Sequence, residues 1–146
     1  MPPQSDTGLL VHAFRERLER ALLVVRGQGY RPMVFETLRS RDRAQELVKS
    51  GKSMAKDGLS MHCYGVAADV ICGDHQWDCR RHQCAFFDAL GTAAEDAGLT
   101  WGGRWRNLVD LPHVQAVPVR CQKAIREMDQ PLVDAFVRRV LAGQVP

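Results

Sequence analysis

Leu10, Phe14, Leu18, Ala21, Leu22 and Val25 recur at helical spacing, with Arg15, Glu16, Arg17, Glu19 and Arg20 between them. One face is apolar and the other charged, which predicts a first helix within 7–29, ended by Gly27 and Gly29. The run Met33 to Leu38 follows Pro32 and suits a strand. Ser40 is placed to cap a helix that Gly51 stops. From Lys52 to Ser60 the chain turns polar and reads as a loop. Ala67 to Cys72 (AADVIC) has the unbroken apolar look of a short buried strand, interrupted only by Asp69. A second long helix is expected from Cys79 to Gly98, and a final strand from His113 to Val117. Pro131 opens a last helix with Leu132, Phe136, Val140 and Leu141 on one face, and Arg138 and Arg139 in its closing turns.

Helices and strands mingle without a regular βαβ rhythm, so the expected class is α+β, a small, mostly antiparallel sheet flanked by helices. No repeat, linker or low-complexity tract divides the chain, and 146 residues suit a single domain over 1–146. Apolar content of 45% and charged content of 25% are ordinary for a globular protein. A net charge of +3 names no anionic partner, and without a basic–aromatic motif no nucleic-acid binding is expected. No apolar stretch approaches the ~18–20 residues that span a membrane. The opening MPPQSDTGLL lacks a basic segment followed by an apolar run, so no signal peptide is visible and synthesis in the cytosol is expected. Five cysteines, an odd number, argue against a disulfide framework.

The candidate chemistry lies beside the strands. His62 and Asp69 flank the entry to one strand, and His113 enters another. Two imidazoles and a carboxylate with one position open make a catalytic zinc set. Asp110, three residues before His113, is placed to serve as general base from the same turn. By spacing alone, a surface turn entering a buried strand explains His62 and Asp69 equally well, and both readings stay open.

The motif S-x-H-x-x-G-x-A-x-D, from Ser60 to Asp69, resembles the signature of the D-Ala-D-Ala and L-Ala-D-Glu metallopeptidases, the VanY-type and phage-endolysin branch of the hedgehog/DD-peptidase-like fold. WGGRW, Trp101 to Trp105, followed by D-x-x-H at Asp110 and His113 with Gln115 after it, is similar to the closing motif of that family. Upstream, Glu36, Arg39, Ser40 and Gln45 match its E-x-x-R-S…Q stretch, so the resemblance runs in order from about Phe35 to Gln115. It implies one zinc ion on His62, Asp69 and His113, Asp110 as general base and acid, and Arg39 steadying the substrate oxyanion. Arg39 in a salt bridge to Glu36 is the plainer alternative. The implied substrate is the peptidoglycan stem peptide, cut between L-Ala and D-Glu by a monomeric endolysin. Such an enzyme accumulates in the host cytoplasm and reaches the wall once a holin opens the membrane. A D,D-carboxypeptidase and a non-catalytic zinc-binding module are the alternatives.

Ser60 is read as shaping the loop, and Trp101 and Trp105 as cleft wall or core. Gly102 and Gly103 are expected in a turn of positive φ. Cys63 is expected to point away from His62 by strand alternation. Cys72, His75, Cys79, His82 and Cys84 form a second Cys/His cluster whose spacing fits no paired C-x-x-C pattern, with His82 and Cys84 expected in the second helix. The residues after Gln115 suffice for a short helical tail and leave no room for a wall-binding domain. Its Arg120, Lys123, Arg126, Arg138 and Arg139 suit a solvated face packed on the core better than a contact with anionic wall or lipid.

Overall fold

The structure is a computed structural model that describes residues 1–53 and 60–146. It is α+β, as expected. Among the described residues, strands β1 (Pro32–Glu36), β2 (Ala67–Cys72), β3 (Thr100–Trp101) and β4 (His113–Gln115) form one antiparallel sheet in the order β1-β2-β4-β3. The helices are α1 (His12–Gly27), α2 (Arg41–Lys49), α3 (Phe86–Asp96), α4 (Gln122–Glu127) and α5 (Val133–Leu141). The apolar face read from the sequence of α1 is the face it buries: Phe14, Leu18, Ala21, Leu22 and Val25 are all in the core. α1 packs on α3 and α5, and α3 reaches β2 and β3. Each fully buried large apolar side chain there stabilises the fold by roughly 1.5–3 kcal/mol. Alternation along β2 turns Ala68, Val70 and Cys72 toward this core and Asp69 toward the opposite face. α5 adds Val133 and Val137 to the core, while Arg138 pairs with Asp134 and the Arg139 guanidinium lies over Phe136.

Ser40 caps α2 as expected, its side chain accepting from the Arg43 amide. α1 has no such residue, because Val11 stands at its N-cap. Its cap comes from far along the chain: the Ala13 amide donates to Asp134 Oδ1 on α5 at 2.9 Å. That contact satisfies one of the orphan donors of a helix start and places a carboxylate at the positive end of the dipole.

The structure corrects several boundaries. β1 stops at Glu36 because the Thr37 amide donates to Gln4 O at 2.7 Å and leaves the sheet ladder. β4 stops at Gln115, although the Ala116 amide still donates in register to Val66 O, just ahead of β2. The helix expected from Cys79 begins only at Phe86. Arg80–His82 is a single 3-10 turn, and Gln83 takes a left-handed conformation (φ 55°) that an α-helix cannot continue. His82 and Cys84 therefore lie in a loop. Cys63 lies in a 3-10 turn, Met61–Tyr64, so strand alternation does not orient it. Of the loop expected over 52–60, residues 54–59 lie outside the described residues.

Candidate metal centre

The site lies on the sheet face away from α1 and α3. A row of side chains crosses three strands there. Asp69 on β2 stands opposite His113 on β4 in register, and Glu36 on β1 stands opposite Asp69 on the other side. Regular pairing from Val34↔Val70 would set Phe35 against Asp69, but the ladder shifts between Val34 and Glu36. This bulge lets both Phe35 and Glu36 line the cleft. His62 comes from the 3-10 turn just ahead of β2. That turn is capped by the Ser60 hydroxyl and closed by Gly65 in a left-handed conformation (φ 71°), where an added Cβ would sit 3.3 Å from Leu9 O.

These elements bring His62, Asp69 and His113 together, with one donor atom from each within 4.8 Å of the others. Asp69 Oδ1 is 3.2 Å from His62 Nε2 and 3.3 Å from His113 Nδ1. The outer nitrogens are already engaged. His62 Nδ1 donates to Thr37 O at 2.9 Å, and His113 Nε2 donates to Gln115 Oε1 at 2.9 Å. The Gln115 amide is itself oriented, its Nε2 donating to Val117 O and Gln122 Oε1. Both rings therefore present their second nitrogen to Asp69, the arrangement in which metal-binding imidazoles are held by outer partners. The set of two imidazoles and one carboxylate suits a borderline divalent ion such as zinc.

Asp110 is at the lip of the site, its Oδ2 3.9 Å from His113 Nδ1 and its side chain 40% exposed. Burial against the cleft, with the Asp69 charge adding to it, raises its carboxyl above the usual aspartate range despite the pull of His113. Burial acts on Asp69 in the same sense, but His62 and His113 outweigh it and hold Asp69 ionised far below that range. His113 is shifted up, because hydrogen bonding and charge from Asp69 outweigh the burial that would lower it.

Arg39 is buried beside the row. Its Nε and Nη2 donate to Glu36 Oε1 at 3.2 and 2.7 Å, Nη1 donates to Ser60 Oγ at 3.3 Å, and Nη2 lies 3.9 Å from Asp69 Oδ2. The salt bridge weighed as an alternative is thus present, and the guanidinium still faces the cluster. Arg43 Nε binds the other oxygen of Glu36. Ser60 shapes the turn by accepting from Arg39 and from the His62 amide.

The two tryptophans divide. Trp101 is core, its Nε1 donating to Leu111 O at 2.7 Å, whereas Trp105 is a wall of the cleft with its ring centroid 5.1 Å from that of His113. Gly102 and Gly103 do not have positive φ. Close approach requires them instead: a Cβ at Gly102 would sit 2.5 Å from Asp110 O, and one at Gly103 2.2 Å from the Trp101 ring. Sequence reasoning assigned no role to Thr37 or Gln122, and Gln115 entered only as a motif position. The His-x-Gln alternation on β4, which puts both side chains on one face, was the available signal for Gln115. A carbonyl such as Thr37 O leaves none.

The cluster floors a cleft of about 1030 Å³, whose walls include Phe35, Trp77, Trp105, Lys52 and Arg126. An antiparallel α+β sheet with a histidine–carboxylate cluster at the floor of an open cleft is the arrangement of a hydrolase whose site could hold a metal ion. Residues 53–116, which hold His62, Asp69, Asp110 and His113, match the family model described as D-alanyl-D-alanine carboxypeptidase. Over this stretch the chain is similar to the VanY-type and L-Ala-D-Glu peptidases. It is 27% identical over 133 residues to the peptidoglycan L-alanyl-D-glutamate endopeptidase CwlK of Bacillus subtilis (strain 168), covering 81% of this chain and 78% of that protein. An L-alanyl-D-glutamate peptidase of Listeria phage A118 is 29% identical over 90 residues, 60% of this chain and 31% of the phage protein. Among solved structures, the L-Ala D-Glu endopeptidase ChiX of Serratia marcescens is similar with a TM-score of 0.50 and 29% identity, over 73% of this chain and 87% of that one.

Proposed function

We propose that the chain is a zinc-dependent peptidoglycan endopeptidase that hydrolyses the L-Ala–D-Glu bond of the stem peptide. One observation carries the reading: the cross-strand Asp69–His113 pair and His62 converge at the floor of an open cleft with Asp110 at the edge. The relatives named for L-alanyl-D-glutamate cleavage direct it to that bond. The whole of 1–146 is taken as one catalytic domain.

In this mechanism His62, Asp69 and His113 hold the ion. Zinc bound there supplies Lewis acidity toward the scissile carbonyl and lowers the pKa of the attacking water. Thr37 O and Gln115 keep both imidazoles in the tautomers that leave His62 Nε2 and His113 Nδ1 facing the ion. Asp110, more basic than an ordinary aspartate, accepts the proton of the water and returns it to the departing amine. Arg39 sets a fixed positive charge beside the cluster, where it stabilises negative charge developing on the carbonyl oxygen. Lys52 and Arg126 give the cleft a cationic flank suited to the carboxylates of a stem peptide. The phage relative favours a lytic role, with access to the wall through a holin.

The test is mass spectrometry of purified peptidoglycan incubated with the protein, with and without chelator. Fragments with a new D-Glu amino terminus, absent with chelator, are expected. Loss of a single terminal D-Ala would move the reading to a D,D-carboxypeptidase, the activity for which the matching family is named. No metal-dependent product from several wall chemotypes would leave a zinc-binding module without catalysis.

A further inference from the structure

On the other face of β2 from Asp69, a second set of ligand atoms converges. Cys72 ends β2, Cys79 precedes the 3-10 turn and Cys84 follows it, and one Sγ from each lies within 4.8 Å of the others. Cys72 and Cys79 are buried, and Cys84 is half-buried on the solvent side.

The backbone of this segment is bent to make the approach. Cys72 and Gln76 exchange both amide hydrogen bonds, at 3.1 and 2.7 Å, and the Cys84 amide donates to Cys79 O at 2.8 Å. Among the described residues, Gln76 (φ 53°) and Gln83 (φ 55°) are the non-glycine residues with positive φ, and both lie between the outer cysteines. A left-handed conformation costs such a residue roughly 1–2 kcal/mol. It persists where the surroundings over-determine it, often at ligand-holding sites. Between β2 and α3, moreover, the chain forms only a bridge and a single 3-10 turn, and most of its residues are exposed. Such a segment is commonly stapled by a metal or a disulfide, and three thiols at mutual range suit a central ion better than a bond that uses two of them.

We propose that Cys72, Cys79 and Cys84 bind a second, structural zinc ion that holds the 72–84 segment against the core. Three thiolates occupy three corners of a tetrahedron, with Zn–S distances of about 2.3 Å drawing the sulfurs slightly closer. Binding releases the three thiol protons to solvent. The fourth corner, on the side of the half-buried Cys84, is left to a water molecule. Without an ion, burial and the neighbouring thiols hold the Cys79 thiol well above its usual range. This proposal does not depend on the peptidase reading, because the cleft site contains no sulfur ligand.

The experiment uses the full chain, purified under reducing conditions and loaded with zinc or with Co²⁺ alone. Elemental analysis is expected to give two zinc ions per chain, one in H62A/H113A and again one in C84S. Cobalt-loaded wild type is expected to show thiolate-to-cobalt charge-transfer absorption, which C84S weakens and H62A/H113A retains. The cobalt spectrum of the wild type decides even where a variant fails to fold. One zinc per chain with no charge-transfer band would overturn the proposal. So would an intact mass two hydrogens light in protein loaded under reducing conditions, since a disulfide would then occupy the cluster.

Discussion

Gln115 decides which nitrogen of His113 faces the cleft. Its amide nitrogen is committed to Val117 O and Gln122, so its oxygen must accept from His113 Nε2 and leave Nδ1 for the centre. Gln115→Leu is expected to weaken metal affinity by about 10–100-fold, read by chelator competition, with the fold intact. Asp110→Asn separates binding from chemistry. Metal content and thermal stability should hold while kcat/KM on stem-peptide substrates falls by roughly 10²–10⁴-fold; retained activity would sink the proposed base. The pH dependence follows from the raised Asp110 pKa. The base acts deprotonated, so activity is lost as pH falls through that value, and the acid limb of kcat/KM lies above the ordinary aspartate value of about 3.9. At this scale the sequence was most informative where a side chain carries the chemistry. His62, Asp69, His113 and Asp110 were read from the sequence as neighbours, which they are, whereas the Thr37 carbonyl that orients His62 was not, because any residue type has one. Gly102 and Gly103 were recognised as necessary for the wrong reason: what they avoid is contact with Asp110 and Trp101, which only the assembled fold brings near.

The bulge in β1 is an element-scale device with an energetic counterpart. It turns Glu36 into the cleft beside Asp69, and the buried Arg39 with the partly buried Arg43 holds that second carboxylate ionised. Burial pushes the Glu36 pKa up, but hydrogen bonds from Arg43 and Arg39 outweigh it and the net shift is downward. A lowered carboxylate pKa stabilises the fold above its ordinary value of 4.5, and that stability is lost as pH falls through the folded value. Glu36→Gln is therefore expected to cost about 3–5 kcal/mol at neutral pH by leaving both arginines without a carboxylate. The difference from wild type should shrink below pH 4.5, as urea unfolding at the two pH values would show. On the opposite face, Asp134→Ala removes the borrowed cap of α1 and is expected to cost about 1 kcal/mol. The apolar face of α1 and the strand β2 were legible because each is regular over many residues. β3, two residues long, has no period to read, and the start of α3 was hidden because Gln83 is not a residue type that announces a left-handed turn.

For the molecule as a whole, the proposed zinc ion would make the cleft cluster a store of stability. Binding to the folded chain alone adds RT ln(1 + [L]/Kd), about 2.7 kcal/mol at a hundredfold excess over Kd. Chelation is expected to lower the midpoint of thermal unfolding along with activity, and added zinc should restore both in a concentration-dependent way; an unfolding midpoint indifferent to chelator would contradict this. The α+β class could be read from the mixture of patterns. The strand order β1-β2-β4-β3 could not, because it rests on pairings between segments far apart in the chain. The tail helix was expected to pack on the core with its basic face solvated, and α5 does pack on α1, with Arg138 paired to Asp134 and Arg139 over Phe136. Among the described residues, no helix is long and apolar enough to cross a membrane.

Trp105 lies with its ring 5.1 Å from that of His113, while Trp101 is sealed in the core and Trp77 meets Phe35 edge-on at the rim. The cleft therefore has a built-in fluorophore. An open-shell ion such as Cu²⁺ seated on His62, Asp69 and His113 would quench the emission of Trp105 at close range, whereas closed-shell zinc would leave it bright. In a Trp77→Phe background, where the remaining buried indole emits at shorter wavelength, the red-shifted part of the spectrum becomes a direct optical reading of which ion occupies the floor and how fast it exchanges.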